Sequence, residues 1–147
     1  MKTLLLAITW TYVTAFIPIE KKVMDLDNPE IFLISRRFLF LLMLCIIFDS
    51  RDIAVDKIRG FRSLATDLSP GTLKWLIYSI FAVLFSSNFF SVHYGFSIFQ
   101  TIALQISTLA LLVVYFFSTK KQGYLFYYFI VDGLMIFSAL TIWIASI

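Results

Sequence analysis

The sequence predicts an all-α protein, a polytopic membrane helical bundle of five transmembrane helices forming a single domain over residues 1–147. Three observations carry this. Hydrophobic residues make up 61% of the chain and charged residues 14%, with a mean hydropathy of +0.92, more apolar surface than a soluble domain of this size can keep from water. The apolar residues fall into runs long enough to cross a bilayer core, which takes about 20 residues of helix. Between the runs stand short clusters of the residues that start and stop helices.

The first predicted span is 3–19, closed by Pro18. Lys2 and the small residues Val13-Thr14-Ala15 also fit a secretory leader, but the apolar run continues to Ile19 and favours a span. A polar loop follows, in which Asn28 is expected to cap the second span, 29–50, with Pro29 at its first position. Ser69-Pro70-Gly71 launches the third, 72–92, and His93-Tyr94-Gly95 separates it from the fourth, 96–117. The polar run 118–123 precedes the fifth, 124–146. Within these spans Cys45 reads as a small packing hydrophobe, and Gln100 and Gln105 as helix-to-helix hydrogen-bonding groups. His93 and Trp75 read as interfacial anchors.

The net charge of +3 does not indicate nucleic acid, because the basic residues lie mainly between apolar runs; the lipid bilayer is the partner it implies. Alternate loops share a side. Lys2, Arg51, Lys57, Arg59, Arg62, Lys74, Lys120 and Lys121 fall on one side, and Lys21, Lys22, Arg36 and Arg37 on the other. Eight against four makes the side carrying residues 51–62 cytoplasmic.

That side holds the densest charge in the chain, FDSRDIAVDKIRGFRSLAT, residues 48–66. Asp49, Asp52 and Asp56 are spaced i, i+3, i+7, which puts three carboxylates on one helical face where the second helix leaves the membrane. Carboxylates so close repel unless a cation sits among them, and hard oxygen ligands together with phosphate oxygens suit Mg²⁺. Lys57, Arg59 and Arg62 follow at once and can meet phosphate charge, arginine by a bidentate fork. Gly60 permits a sharp turn or a close backbone approach. The plainer reading is a solvated juxtamembrane segment whose acids and bases pair with one another.

Arg51-Asp52-Ile53, Asp56, Gly60 and Arg62-Ser63-Leu64 resemble the second aspartate-rich motif of the UbiA superfamily of intramembrane prenyltransferases, R-D-I-x-x-D-x-x-x-G-x-R-[ST]-L. In that family the motif stands between the sixth and seventh of nine helices, with two helices of the second half before it and three after. The predicted spans of this chain follow the same order, so the resemblance covers essentially its whole length. It implies that Asp52 and Asp56 hold Mg²⁺ on an isoprenyl diphosphate, that Asp49 is an added acidic position upstream, and that Lys57 and Arg62 contact the diphosphate. It further implies prenyl transfer: diphosphate departs and an acceptor carbon, such as one in an aromatic ring, attacks the allylic centre. Aromatic faces and an apolar groove between helices would suit the cation-like centre and the prenyl tail.

The family's first motif, N-x-x-x-D or N-D-x-x-D, has no counterpart here; Asp25-Leu26-Asp27-Asn28 has the wrong order and falls on the other side. The chain therefore resembles the C-terminal half of such an enzyme and is expected to be inactive without a complementary N-terminal half. The alternative is a non-catalytic membrane subunit or scaffold retaining half of the fold. A CDP-alcohol phosphotransferase is excluded, since its D-x-x-D-G-x-x-A-R order is absent. Asp132 lies in the apolar run YYFIVDGLMIF, where a carboxylate needs a partner, so a structural buried pair with Arg36 or Arg37 is expected, the other arginine snorkelling outward.

Overall fold

The computed structural model describes residues 2–19, 26–60, 62–118 and 132–144, and among them every regular element is helical. Among the described residues, four helical stretches are long and apolar enough to cross a membrane: Lys2–Ile19, Asn28–Ser50, Pro70–Tyr94 and Ile98–Ser118. Of the predicted fifth span, 124–131 and 145–146 lie outside the described residues. The part described is a 13-residue helix. The chain falls into two compact units, Met1–Ile80 and Phe81–Ile147.

In the first unit, helix α1 (Lys2–Thr11) runs into a π-turn, Tyr12–Phe16, and a 3-10 turn, Ile17–Ile19. Pro18 explains the change of pitch. It has no N–H to donate, and its ring would strike the carbonyl four residues back, so the turn ahead of it widens and the Ile17 N–H reaches Tyr12 O. Thr9, Thr11 and Thr14 each donate their hydroxyl to the carbonyl four residues earlier, which settles these polar groups inside an apolar helix.

Helix α2 (Asn28–Arg59) is 32 residues long. Its start corrects the expected cap by one residue: the Glu30 and Ile31 N–H groups both bond to Asp27 O, and Glu30 Oε2 accepts the Asp27 N–H at 3.0 Å. Asp27 is the N-cap and Glu30 reaches back as in a capping box, so Pro29 stands second, where its missing N–H is still harmless. Phe40 through Ile47 are all buried, Cys45 among them, so this stretch of α2 is enclosed on every side and forms the core of the unit.

Helix α1 packs antiparallel on α2, Thr3 meeting Asp49 near one end and Thr14 meeting Arg37 further along. The contact face of α1 and the π-turn after it is Thr3, Ala7, Thr11 and Ala15, small residues at every fourth position and all buried, which lets two backbones come close. After α2 come the short helix α3 (Leu64–Asp67), which packs on α2, and the start of α4 (Pro70–Phe90). Ser69 caps α4 by accepting the Thr72 N–H at 3.2 Å.

The second unit contains the end of α4, a 3-10 turn at Ser91–Tyr94, α5 (Ile98–Ser118) and α6 (Asp132–Ile144). Gly95, at φ +87°, ends the turn in the left-handed conformation that a side chain disfavours. Ser97 then caps α5 and Gln100 completes the box, its Oε1 accepting the Ser97 N–H at 2.9 Å. Gln100 is thus a cap and not the helix-to-helix bond expected of it. Gln105 does make one: its Oε1 accepts from Asn88 Nδ2 at 3.1 Å, and Asn88 Nδ2 also reaches Thr108 Oγ1 at 3.2 Å. Ser107 and Thr141, 3.0 Å apart, tie α5 to α6. Because Asn88 is fully buried, Asn88→Ala is expected to destabilise the protein by about 1 kcal/mol, read as an earlier transition on titrating SDS into detergent-solubilised protein.

Candidate functional site

The charged stretch begins inside a helix. α2 continues without a break through Arg59, so positions 49, 52 and 56 lie on one face of one continuous backbone. Gly60, at φ +70°, stops it. The chain turns back, and Ser63 caps α3: Ser63 Oγ accepts the Thr66 N–H at 3.2 Å, and Thr66 Oγ1 accepts the Ser63 N–H at 2.8 Å. The serine of Arg62-Ser63-Leu64 therefore has a local structural duty, fixing the direction in which the returning segment leaves the turn.

Asp49 is buried, 2% exposed. Its Oδ1 lies 3.4 Å from Lys2 Nζ, and its Oδ2 accepts the Thr3 hydroxyl at 2.5 Å. Asp49 is thus held against the start of α1. The side chains of Asp52, Asp56, Lys57 and Arg59 lie outside the described residues. By register, positions 52 and 56 follow Asp49 by one and two turns, beyond the level at which Lys2 meets α2. Among the described residues, no three His, Cys, Asp or Glu side chains gather as a metal group.

Arg62 is exposed, and its Nε stands 3.4 Å from Asp67 Oδ1. An ion pair this open to water is weak, so the guanidinium can exchange Asp67 for a doubly charged anion at little loss. Arg36 and Arg37 are half-buried in α2. The Arg37 Nε–H donates to Thr14 Oγ1 at 3.5 Å, and its guanidinium lies 5.8 Å from the Phe40 ring centre, so this arginine is turned toward α1. The Asp132 side chain, and with it the expected pair, lies outside the described residues.

An open apolar groove of ≈480 Å³ lies where the π-turn widens α1, lined chiefly by Ile8, Tyr12 and Phe16 facing Ile34, Phe38 and Leu39. The Tyr12 and Phe16 rings stack along its wall, 5.2 Å between centres. It begins about 20 Å along α2 from position 52, too far to share a ligand's head group with that end of the helix.

The sequence gives no local sign of the contacts that Lys2 and Thr3 make, with partners 46 to 61 residues away. The signal that bears on Thr3 is the four-residue repeat of small side chains, Thr3, Ala7, Thr11 and Ala15, which marks the face that packs. Asn88 was missed as well; a lone amide in FSSNFF points to an interhelical bond only once a partner is known. Comparison of the chain with known proteins gives no matching family model, no matching curated protein and no matching solved structure.

Proposed function

We propose that this chain is an integral membrane protein supplying the second aspartate-rich half of a UbiA-like prenyltransferase, a Mg²⁺-dependent transferase of isoprenyl groups. The observation that carries the reading is the run R-D-I-x-x-D-x-x-x-G-x-R-S-L over residues 51–64. Three structural features support it. The acidic positions occupy one helical face of α2, Gly60 turns the chain sharply, and the Ser63 cap brings the basic segment back beside that helix. Four apolar helices of spanning length support a multi-pass arrangement; the proposal adds a fifth span over 124–146 and puts the aspartate-rich end on the cytoplasmic side.

In this reading Asp52 and Asp56 would hold Mg²⁺, being hard oxygen donors one helical turn apart. Bound there, the ion supplies neutralising charge to the diphosphate oxygens. Lys57, Arg59 and Arg62 meet the remaining oxygens, and Asp49, tied to Lys2 and Thr3, anchors the base of the acidic face. Transfer itself requires a complementary half bearing the first motif.

The test is Mg²⁺-dependent binding of farnesyl diphosphate to the full chain in lipid nanodiscs, followed by thermal stabilisation. Stabilisation is expected for the natural sequence and at least tenfold weaker affinity for Asp52→Ala/Asp56→Ala. Equal stabilisation of both proteins, or none with Mg²⁺ present, would overturn the proposal.

A further inference from the structure

Thr3 has one hydroxyl and uses it twice. It donates to Asp49 Oδ2 at 2.5 Å and accepts the Leu64 N–H at 2.9 Å. One residue earlier, the Lys2 N–H donates to Arg62 O at 3.0 Å while its ammonium faces Asp49 Oδ1 at 3.4 Å. Four contacts thus join three segments distant in sequence: the start of α1, Asp49 on α2, and the backbone at 62–64. Thr3 and Asp49 are buried, so the bond between them is shielded from competing water.

The Ser63–Thr66 cap is local to the return segment, and a separate set of contacts ties that segment to α1 and α2. Gly60 takes a left-handed conformation, and a Cβ built on it would have no neighbour within 4 Å. The bonds from Lys2 and Thr3 brace the segment after it, at the residue that carries the Arg62 guanidinium and at the first amide of α3. Their other end is Asp49, on the face of α2 that continues to positions 52 and 56.

We infer that Lys2 and Thr3 are positioning residues: they clamp the segment bearing Arg62 beside the acidic end of α2, so that acidic and basic groups meet one diphosphate in one geometry. The role rests on the diphosphate reading above, whereas the clamp stands on its own contacts. Thr3 acts through its hydroxyl, so a valine of the same shape removes the function and a serine keeps it.

The test follows two quantities on the full chain in nanodiscs: hydrogen exchange of the peptide covering residues 62–68, and Mg²⁺-dependent affinity for farnesyl diphosphate. A hydrogen bond of ordinary net strength corresponds to roughly a tenfold change in an equilibrium. Thr3→Val is expected to speed exchange at 62–68 by about that factor and to weaken Kd similarly, with exchange in α5 unchanged as the folding control. Thr3→Ser should restore both. Lys2→Gln, which keeps the backbone bond to Arg62, should shift both in the same direction by less, and it serves where Thr3→Val does not fold. Unchanged exchange at 62–68 in Thr3→Val would overturn the clamp. Faster exchange with unchanged affinity would overturn the positioning role and leave the diphosphate reading standing. Absence of binding by the natural sequence would overturn that reading and the positioning role together, with the exchange arm alone judging the clamp.

Discussion

Lys2→Met is expected to lower stability by about 3 kcal/mol, more than Asp49→Leu, although the two substitutions break the same ion pair. The asymmetry comes from exposure. The Lys2 side chain is 35% exposed and the Asp49 side chain 3%. Without Asp49, the ammonium turns to water and neighbouring groups, and the loss is about 1–2 kcal/mol. Without Lys2, the carboxylate stays buried with the Thr3 hydroxyl as its donor among the described residues. The double variant Lys2→Met/Asp49→Leu removes both charges and should recover most of the loss, since an apolar pair of similar volume often replaces a buried ion pair without penalty. SDS-titration unfolding of the four proteins forms a double-mutant cycle. Additive losses, or a larger loss for Asp49→Leu than for Lys2→Met, would refute the assignment of Asp49 as a buried charge that depends on Lys2.

Ala7→Phe is expected to destabilise the first unit by about 3 kcal/mol, because it forces a ring into a contact that has no room for one. Ala7 is 0% exposed and sits in the middle of the Thr3, Ala7, Thr11, Ala15 stripe. A ring there must push α1 off α2 and would draw Thr3 from Asp49 and Thr14 from Arg37 at the same time. Ala7→Gly is the control: it keeps the close approach and loses only helix propensity, about 1 kcal/mol. The same unfolding titration reads both variants. A phenylalanine tolerated as well as the glycine would mean that this face of α1 is not the one packed on α2.

Much of this architecture is legible in the order of residues. Pro18, the Ser69-Pro70-Gly71 turn and Gly95 each mark a helix end through backbone chemistry local to a few residues, and the structure has helix boundaries near all three. The caps shift where two neighbours compete: Asp27 takes the role expected of Asn28 because Glu30 stands three residues after Asp27 and can complete the box. Gln100 reads as a helix-interior amide until Ser97, three residues before it, is recognised as its partner. The helical spacing of the charged stretch is also local, and α2 has the backbone that this spacing requires.

What the sequence determined by itself is the helical class, four of the five spans it predicts, which the described residues carry as apolar helices of spanning length, and the register of positions 49, 52 and 56 along one helix. Each depends on residues within a few turns of one another, where hydrophobic period and cap chemistry operate. Only the tertiary structure showed Asp49 buried against Lys2 and Thr3, and only it showed Asn88 bonded to Gln105 and Thr108. The physical reason is that a carboxylate or an amide carries no local mark of its partner. Its role is set by whichever donor the packing of a distant helix brings within about 3 Å.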